Sequence, residues 1–156
     1  MFNFFKKEKT LTSVANGRII NVSKIPDKVF SQKILGEGFG VIPTTGEFFS
    51  PASGVVTDVT ATLHAYCITT DDGLEILVHI GIDTVELKGE GFTPLVKKGD
   101  RLTAGDALAH ADLDFLKEKG YSTATAVVVT NPEKLKSFSI LESPTAKAGS
   151  PAMKYK

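Results

Sequence analysis

The sequence predicts an all-β fold, an antiparallel β-sandwich or barrel with one or two very short helices. Short β-branched runs recur, clusters of Gly, Pro, Asp and Asn separate them, and one stretch alone carries helix start and stop signals. Residues 1–14 are expected to form a flexible leader and residues 15–156 a single domain, as suits a chain of 156 residues. The strand-like runs are Ile19-Ile20-Asn21-Val22, Val55-Val56-Thr57-Asp58-Val59, Ile76-Leu77-Val78-His79-Ile80 and Ala126-Val127-Val128-Val129. Turn signals fall at Ile25-Pro26-Asp27, Pro43-Thr44-Thr45-Gly46, Asp71-Asp72-Gly73 and Lys98-Gly99-Asp100. Asp71-Asp72-Gly73 is the clearest hairpin, because Asp-Gly supplies the positive φ that a tight turn demands. The helix is expected within residues 112–120, opened by a capping Asp112 and closed at Gly120, with acidic residues first and lysines last. Two short echoes suit a pseudo-symmetric fold: Ala15 to Val22 resembles Ala52 to Val59, and Gly99-Asp100-Arg101-Leu102 resembles Gly105-Asp106-Ala107-Leu108.

Composition narrows the function. The chain is 42% hydrophobic and 23% charged, average for a globular protein that needs neither disulfide nor metal to hold its core. Lys+Arg and Asp+Glu balance at 18 each, which argues against a nucleic-acid partner. Cys67 is the sole cysteine, so no internal disulfide forms and a reducing cytoplasm is the natural compartment. No apolar run approaches the roughly 20 residues of a membrane span. Residues 1–9 place three phenylalanines beside three lysines, a pattern for weak peripheral membrane contact; a frayed terminus without a role is the competing reading.

Two of the three histidines carry the chemistry. His64 and His79 fall in strand-like segments on either side of the Asp71-Asp72-Gly73 turn, His64 eight residues before Asp72 and His79 seven after it. Folding there brings them level on paired strands, with Cβ atoms about 4.5–5.5 Å apart. Facing neutral imidazoles can accept a phosphoryl group, bind a metal or shuttle a proton. Thr62, two residues before His64, is expected on the same strand face, where its hydroxyl would fix that ring's tautomer. Gly81 would let a backbone carbonyl approach the second nitrogen of His79 and aim the nucleophile. His110 is read as structural, and Cys67 as a small apolar residue facing the interior.

Competing readings remain at this level. A zinc peptidase would take His64, His79 and Asp83 as three ligands, although no His-x-His follows. A biotin or lipoyl carrier is suggested by Ala152-Met153-Lys154, although only two residues follow. A regulatory binding module remains if the histidines are inert.

The run from Val78-His79-Ile80-Gly81-Ile82-Asp83-Thr84-Val85-Glu86-Leu87 to Gly91-Phe92 resembles the phosphorylation-site signature of the glucose-type enzyme IIA of the bacterial sugar phosphotransferase system. Residues 29–40, Ser50-Pro51-Ala52-Ser53-Gly54, Thr62-Leu63-His64-Ala65, Gly105-Asp106 and Thr130-Asn131 are similar to it as well. The resemblance implies a duplicated hybrid motif-like sandwich with a shallow active face. On it His79 would carry the phosphoryl group on Nε2, His64 would be the partner imidazole, Thr62 would hydrogen-bond His64, and Asp83 would border the site. It further implies a phosphotransferase without a required cofactor, with the phosphocarrier protein HPr as donor and a cysteine on the IIB domain of a membrane sugar permease as acceptor. Family members also bind transporters or kinases when unphosphorylated, and can share a zinc ion between the two histidines and a partner. Tyr66 and Leu63 depart from the pattern beside the site. Ile82, Val85, Leu77 and Phe30 are expected in its apolar rim.

Overall fold

Alternation of side chains along the strands sets the architecture. The computed structural model describes residues 9–156. Its strands are β1 (Lys9–Thr12), β2 (Gly17–Asn21), β3 (Glu37–Pro43), β4 (Glu47–Phe49), β5 (Gly54–Val59), β6 (Ala65–Thr70) and β7 (Glu75–His79), then β8 (Phe92–Pro94), β9 (Arg101–Leu102), β10 (Ala107–Ala111), β11 (Thr125–Val129), β12 (Phe138–Ile140), β13 (Ser143–Ala146) and β14 (Pro151–Tyr155). Two short helices interrupt them, α1 (Lys28–Ser31) and α2 (Leu113–Glu118). The large sheet runs β13-β2-β3-β11-β7-β6-β5-β9, and two three-stranded sheets run β1-β14-β12 and β4-β10-β8. The paired strands are antiparallel.

Side chains of period two divide the large sheet into two apolar faces. Phe39, Val41, Tyr66, Ile68, Ile76, Val78, Val127 and Val129 point inward, into one core shared with Leu11, Phe48, Leu108 and Met153 of the two small sheets. The residues between them point outward. Ile20, Ala126 and Val128 form a second cluster under Ile25 and Phe30, with Leu77 at its edge. β11 is therefore buried on both faces along its whole length. The outer cluster exists because Asp27 caps α1, accepting from the Val29 amide at 2.8 Å, and so holds Phe30 down on the sheet. Gly40 permits this approach: a Cβ there would stand 2.9 Å from Ile25 Cγ1.

The echoes are structural. Ser13 and Ser50, both fully buried, each donate a hydroxyl to the carbonyl two residues on, Ser13 to Ala15 at 2.8 Å and Ser50 to Ala52 at 2.7 Å. The Ser13 carbonyl accepts from the Gly149 amide and the Ser50 carbonyl from the Gly105 amide, both at 2.9 Å. Each unit then enters a strand at a glycine, Gly17 or Gly54, where a Cβ would strike the neighbouring strand's backbone. Asp100 and Asp106 close equivalent turns, each accepting from the amide three residues earlier.

Two expectations are corrected. The leader does not extend to residue 14: β1 pairs with β14, and Leu11 and Val14 are fully buried, so residues 9–14 belong to the fold. Residues 1–8 lie outside the described residues, and with them nearly all of the segment read as a membrane contact. Cys67 does not face the interior. Its neighbours Tyr66 and Ile68 do, so alternation turns the thiol outward beside Leu77. No helix among the described residues is long and apolar enough to cross a membrane.

Candidate active site

His79 is the last residue of β7 and faces outward, in register with Ala65 of β6 and Ala126 of β11. Two alanines beside it leave space for the imidazole on an otherwise crowded surface. The chain then turns at Gly81, whose φ of +77° suits glycine, and the Gly81 carbonyl returns to His79 Nδ1 at 2.9 Å. A carbonyl oxygen only accepts, so Nδ1 carries the proton and Nε2 keeps the lone pair.

His64 reaches the same place by a different route from the one expected. It does not sit level with His79: Ala65 does, and the His64 carbonyl accepts from the Ile80 amide at 2.8 Å. Continued alternation would aim His64 inward. The strand instead begins only at Ala65, and Leu63 adopts a left-handed φ of +61°, which swings the ring outward. The two ring centroids are 4.7 Å apart and meet edge to face at 81°. Thr62 lies in this turn rather than on a strand, yet its Oγ1 stands 2.7 Å from His64 Nδ1. Thr60, which sequence reading missed, adds a longer contact of 3.4 Å to the same nitrogen and accepts from the Ala65 amide at 3.1 Å. The alternating hydroxyls of Thr60-x-Thr62-x-His64 were the available signal.

Both Nδ1 atoms are thus engaged, while neither Nε2 makes a hydrogen bond among the described residues. No fully buried side-chain nitrogen or oxygen among the described residues lacks a partner, so both Nε2 atoms reach solvent. His64 is only 6% exposed and His79 is half-buried; what they show outward is the reactive edge. Phe30 backs His79 at 5.1 Å between centroids.

Electrostatics keep the pair neutral. Burial, then the charge His79 would carry, push His64 down to about 4 against an opposing hydrogen bond to the Thr62 backbone. Burial also lowers His79, opposed by the Gly81 carbonyl and by the charges of Asp27 and Asp83. Asp83 is exposed, with a left-handed φ of +58° ahead of the 3-10 turn Thr84–Leu87. Asp27 was not anticipated at the site. Its place in a turn was legible, but its closeness to His79 depends on how α1 folds over the sheet.

The rim is partly as expected. Phe30 and Ile82 are buried in the outer cluster with Leu77 at its margin, whereas Val85 is 45% exposed. A surface cleft of about 310 Å³ opens beside Leu77, lined by Cys67, Asp58, Glu75 and Thr130 among others. Burial, with the Asp58 and Glu75 charges, raises the Cys67 thiol above its ordinary value, so it is not an activated nucleophile. His110 is exposed on β10, in the third sheet, away from the pair. No three His, Cys, Asp or Glu side chains among the described residues group to hold a metal, which leaves the peptidase triad without its third ligand. Lys154 sits within β14 between Thr10 and Ser139, not at a hairpin tip.

Comparison with known proteins bears on the same residues. The family model for the phosphoenolpyruvate-dependent sugar phosphotransferase system, EIIA 1, matches residues 9–135. A "PTS system glucose-specific EIIA component" of Halalkalibacterium halodurans is 43% identical over 143 residues, covering 92% of this chain and 83% of that protein. A "PTS system glucose-specific EIICBA component" of Streptococcus pneumoniae is 46% identical over 82% of this chain, which spans 18% of that longer protein. The solved "glucose permease IIA from Mycoplasma capricolum" superposes with a TM-score of 0.89 at 32% identity, covering 98% of this chain and 99% of that one. A neutral, solvent-facing histidine pair on a sandwich of this topology, matched by the family model over most of its length, leaves one assignment: the chain belongs to the EIIA 1 family of the phosphoenolpyruvate-dependent sugar phosphotransferase system.

Proposed function

We propose that this phosphocarrier component works through His79 Nε2, which takes a phosphoryl group from phosphorylated HPr and passes it to a cysteine on the IIB domain of a glucose-type sugar permease. The single observation behind this reading is the 2.9 Å contact of His79 Nδ1 with the Gly81 carbonyl, which leaves the outward Nε2 as the nucleophilic atom. In the first step the Nε2 lone pair forms a bond to phosphorus as the donor's nitrogen–phosphorus bond breaks and its imidazole leaves with the electron pair. The Gly81 carbonyl stabilises the positive charge that the His79 ring gains. In the second step a thiolate attacks phosphorus and the pair returns to Nε2.

His64 supports transfer without attacking. With Nδ1 accepting a hydrogen bond from the Thr62 hydroxyl, His64 carries its single ring proton on Nε2, where it can meet the phosphoryl oxygens. Held neutral, His64 donates a hydrogen bond without pinning the phosphoryl group as an ion pair would. Positioning and charge stabilisation are most of what phosphoryl transfer requires. Asp83 offers an exposed charge at the border for a basic partner residue. The cytoplasm, where such donors are found and Cys67 stays reduced, is the proposed compartment. A zinc ion shared with a partner would be held by His64 and His79, His64 then moving its ring proton to Nδ1 beside Thr62, with the remaining ligands coming from that partner; it would supply a bridge and take no part in transfer.

Incubation with enzyme I, HPr and phosphoenolpyruvate should add one acid-labile phosphate to the intact mass. His79→Gln should abolish it. His64→Gln should still be phosphorylated but lose transfer to IIB; normal transfer by that variant would end the two-histidine mechanism and spare the acceptor assignment.

A further inference from the structure

We infer that Thr84 is a positioning residue for the phosphoryl acceptor, its buried hydroxyl holding the Ile80–Gly81 backbone that sets the tautomer and aim of His79. This rests on His79 being the acceptor.

Thr84 has no exposed surface, spends its hydroxyl on backbone rather than on either ring, and follows an exposed Asp83. Its Oγ1 donates to the Ile80 carbonyl at 2.5 Å. Its Cγ2 packs beneath Gly81, so tightly that a Cβ at Gly81 would stand 2.4 Å from it. One side chain thus grips the two residues after His79, by a hydrogen bond on one and by contact on the other.

Ile80 is where both rings are tied. Its amide donates to the His64 carbonyl at 2.8 Å, and its carbonyl takes the Thr84 hydroxyl. The next carbonyl along, that of Gly81, holds His79 Nδ1. The loop has little else to define it: Gly81 and Asp83 both have positive φ, the Asp83 side chain caps nothing, and the Ile82 amide bonds to the Ser122 carbonyl at 3.0 Å. Without the hydroxyl, the Ile80 carbonyl is left buried and unpaired and the Ile80–Gly81 peptide plane is released, so the next plane, which carries the Gly81 oxygen, is held only by the Ile82 amide's bond to Ser122 and can swing about Gly81. The His79 proton then divides between Nδ1 and Nε2, and each molecule with the proton on Nε2 has lost its nucleophile.

The test is ¹⁵N NMR of the His79 ring in Thr84→Val, with Thr84→Ser as the conservative control, alongside the rate of phosphorylation by phospho-HPr. Thr84→Val should move most of the His79 proton to Nε2 and phosphorylate roughly 10-fold more slowly, while Thr84→Ser keeps the native tautomer and rate within a few-fold. Should Thr84→Val not fold, Thr84→Ala, which removes both the hydroxyl and the Cγ2 contact beneath Gly81, takes its place with the same expectation. A native tautomer in the folded variant lacking the hydroxyl overturns the inference. A shifted tautomer with an unchanged phosphorylation rate overturns instead the assignment of His79 as acceptor.

Discussion

At the scale of the residue, protonation decides function. His64 stays neutral down to about 4 whereas the unfolded ring gains its proton near 6.5. The unfolded state therefore binds more protons between those values, and stability must fall as pH drops through that window. The loss is up to roughly 3 kcal/mol at about 1.4 kcal/mol per unit. Chemical denaturation from pH 7 to 4 should show this slope in the native protein and a shallower one in His64→Gln. His79 is lowered as well, so the acid limb of phosphorylation should lie below the ordinary histidine value near 6.5. Gly81→Ala combines a left-handed backbone with a clash against Thr84 and should abolish acceptance, read as loss of the phosphate mass increment. The histidines, Thr62 and the Gly81 carbonyl were legible in the sequence, because hairpin spacing and a glycine two residues on have direct geometric meaning. The register was not: the offset of one residue comes from the left-handed Leu63, which no pattern announces.

At the scale of the element, hydrophobic alternation made the inner strands readable, and Asp112 does cap the helix expected after it, accepting from the Phe115 amide at 3.1 Å. What escaped were elements whose apolar content is too small to show a period. β1 offers one buried leucine, and α1 is a single turn whose meaning lies in the sheet beneath it. Leu11→Ala should accordingly cost about 2–5 kcal/mol in urea unfolding, where a flexible leader would cost nothing. The duplicated serine turns make a paired prediction. Ser13→Ala and Ser50→Ala should each destabilise by about 1–3 kcal/mol, because each leaves a buried carbonyl without its hydroxyl donor. Unequal losses would mean that the two units no longer share their structural role.

At the scale of the whole molecule, three sheets enclose one core, and the site occupies the outer face of the largest, at the end of the β6–β7 hairpin away from its turn. At the turn, Asp72 accepts from Lys9 at 2.8 Å and from the Tyr155 hydroxyl at 3.2 Å, fastening the sheet of β1 and β14 to the hairpin tip. The reactive edge already faces solvent, so no lid has to open and other proteins' phosphorylated side chains can reach it. Composition argues against a nucleic-acid partner, but it could not reveal that one apolar face was reserved for a second cluster beside the histidines. Function turns on one atom, Nε2 of His79. Heteronuclear NMR of the phosphorylated protein, with ¹⁵N in the histidine rings and ³¹P detected, should show coupling of phosphorus to Nε2 of His79 and a retained proton on its Nδ1. Phosphorus coupled to His64, or to Nδ1 of His79, would contradict it.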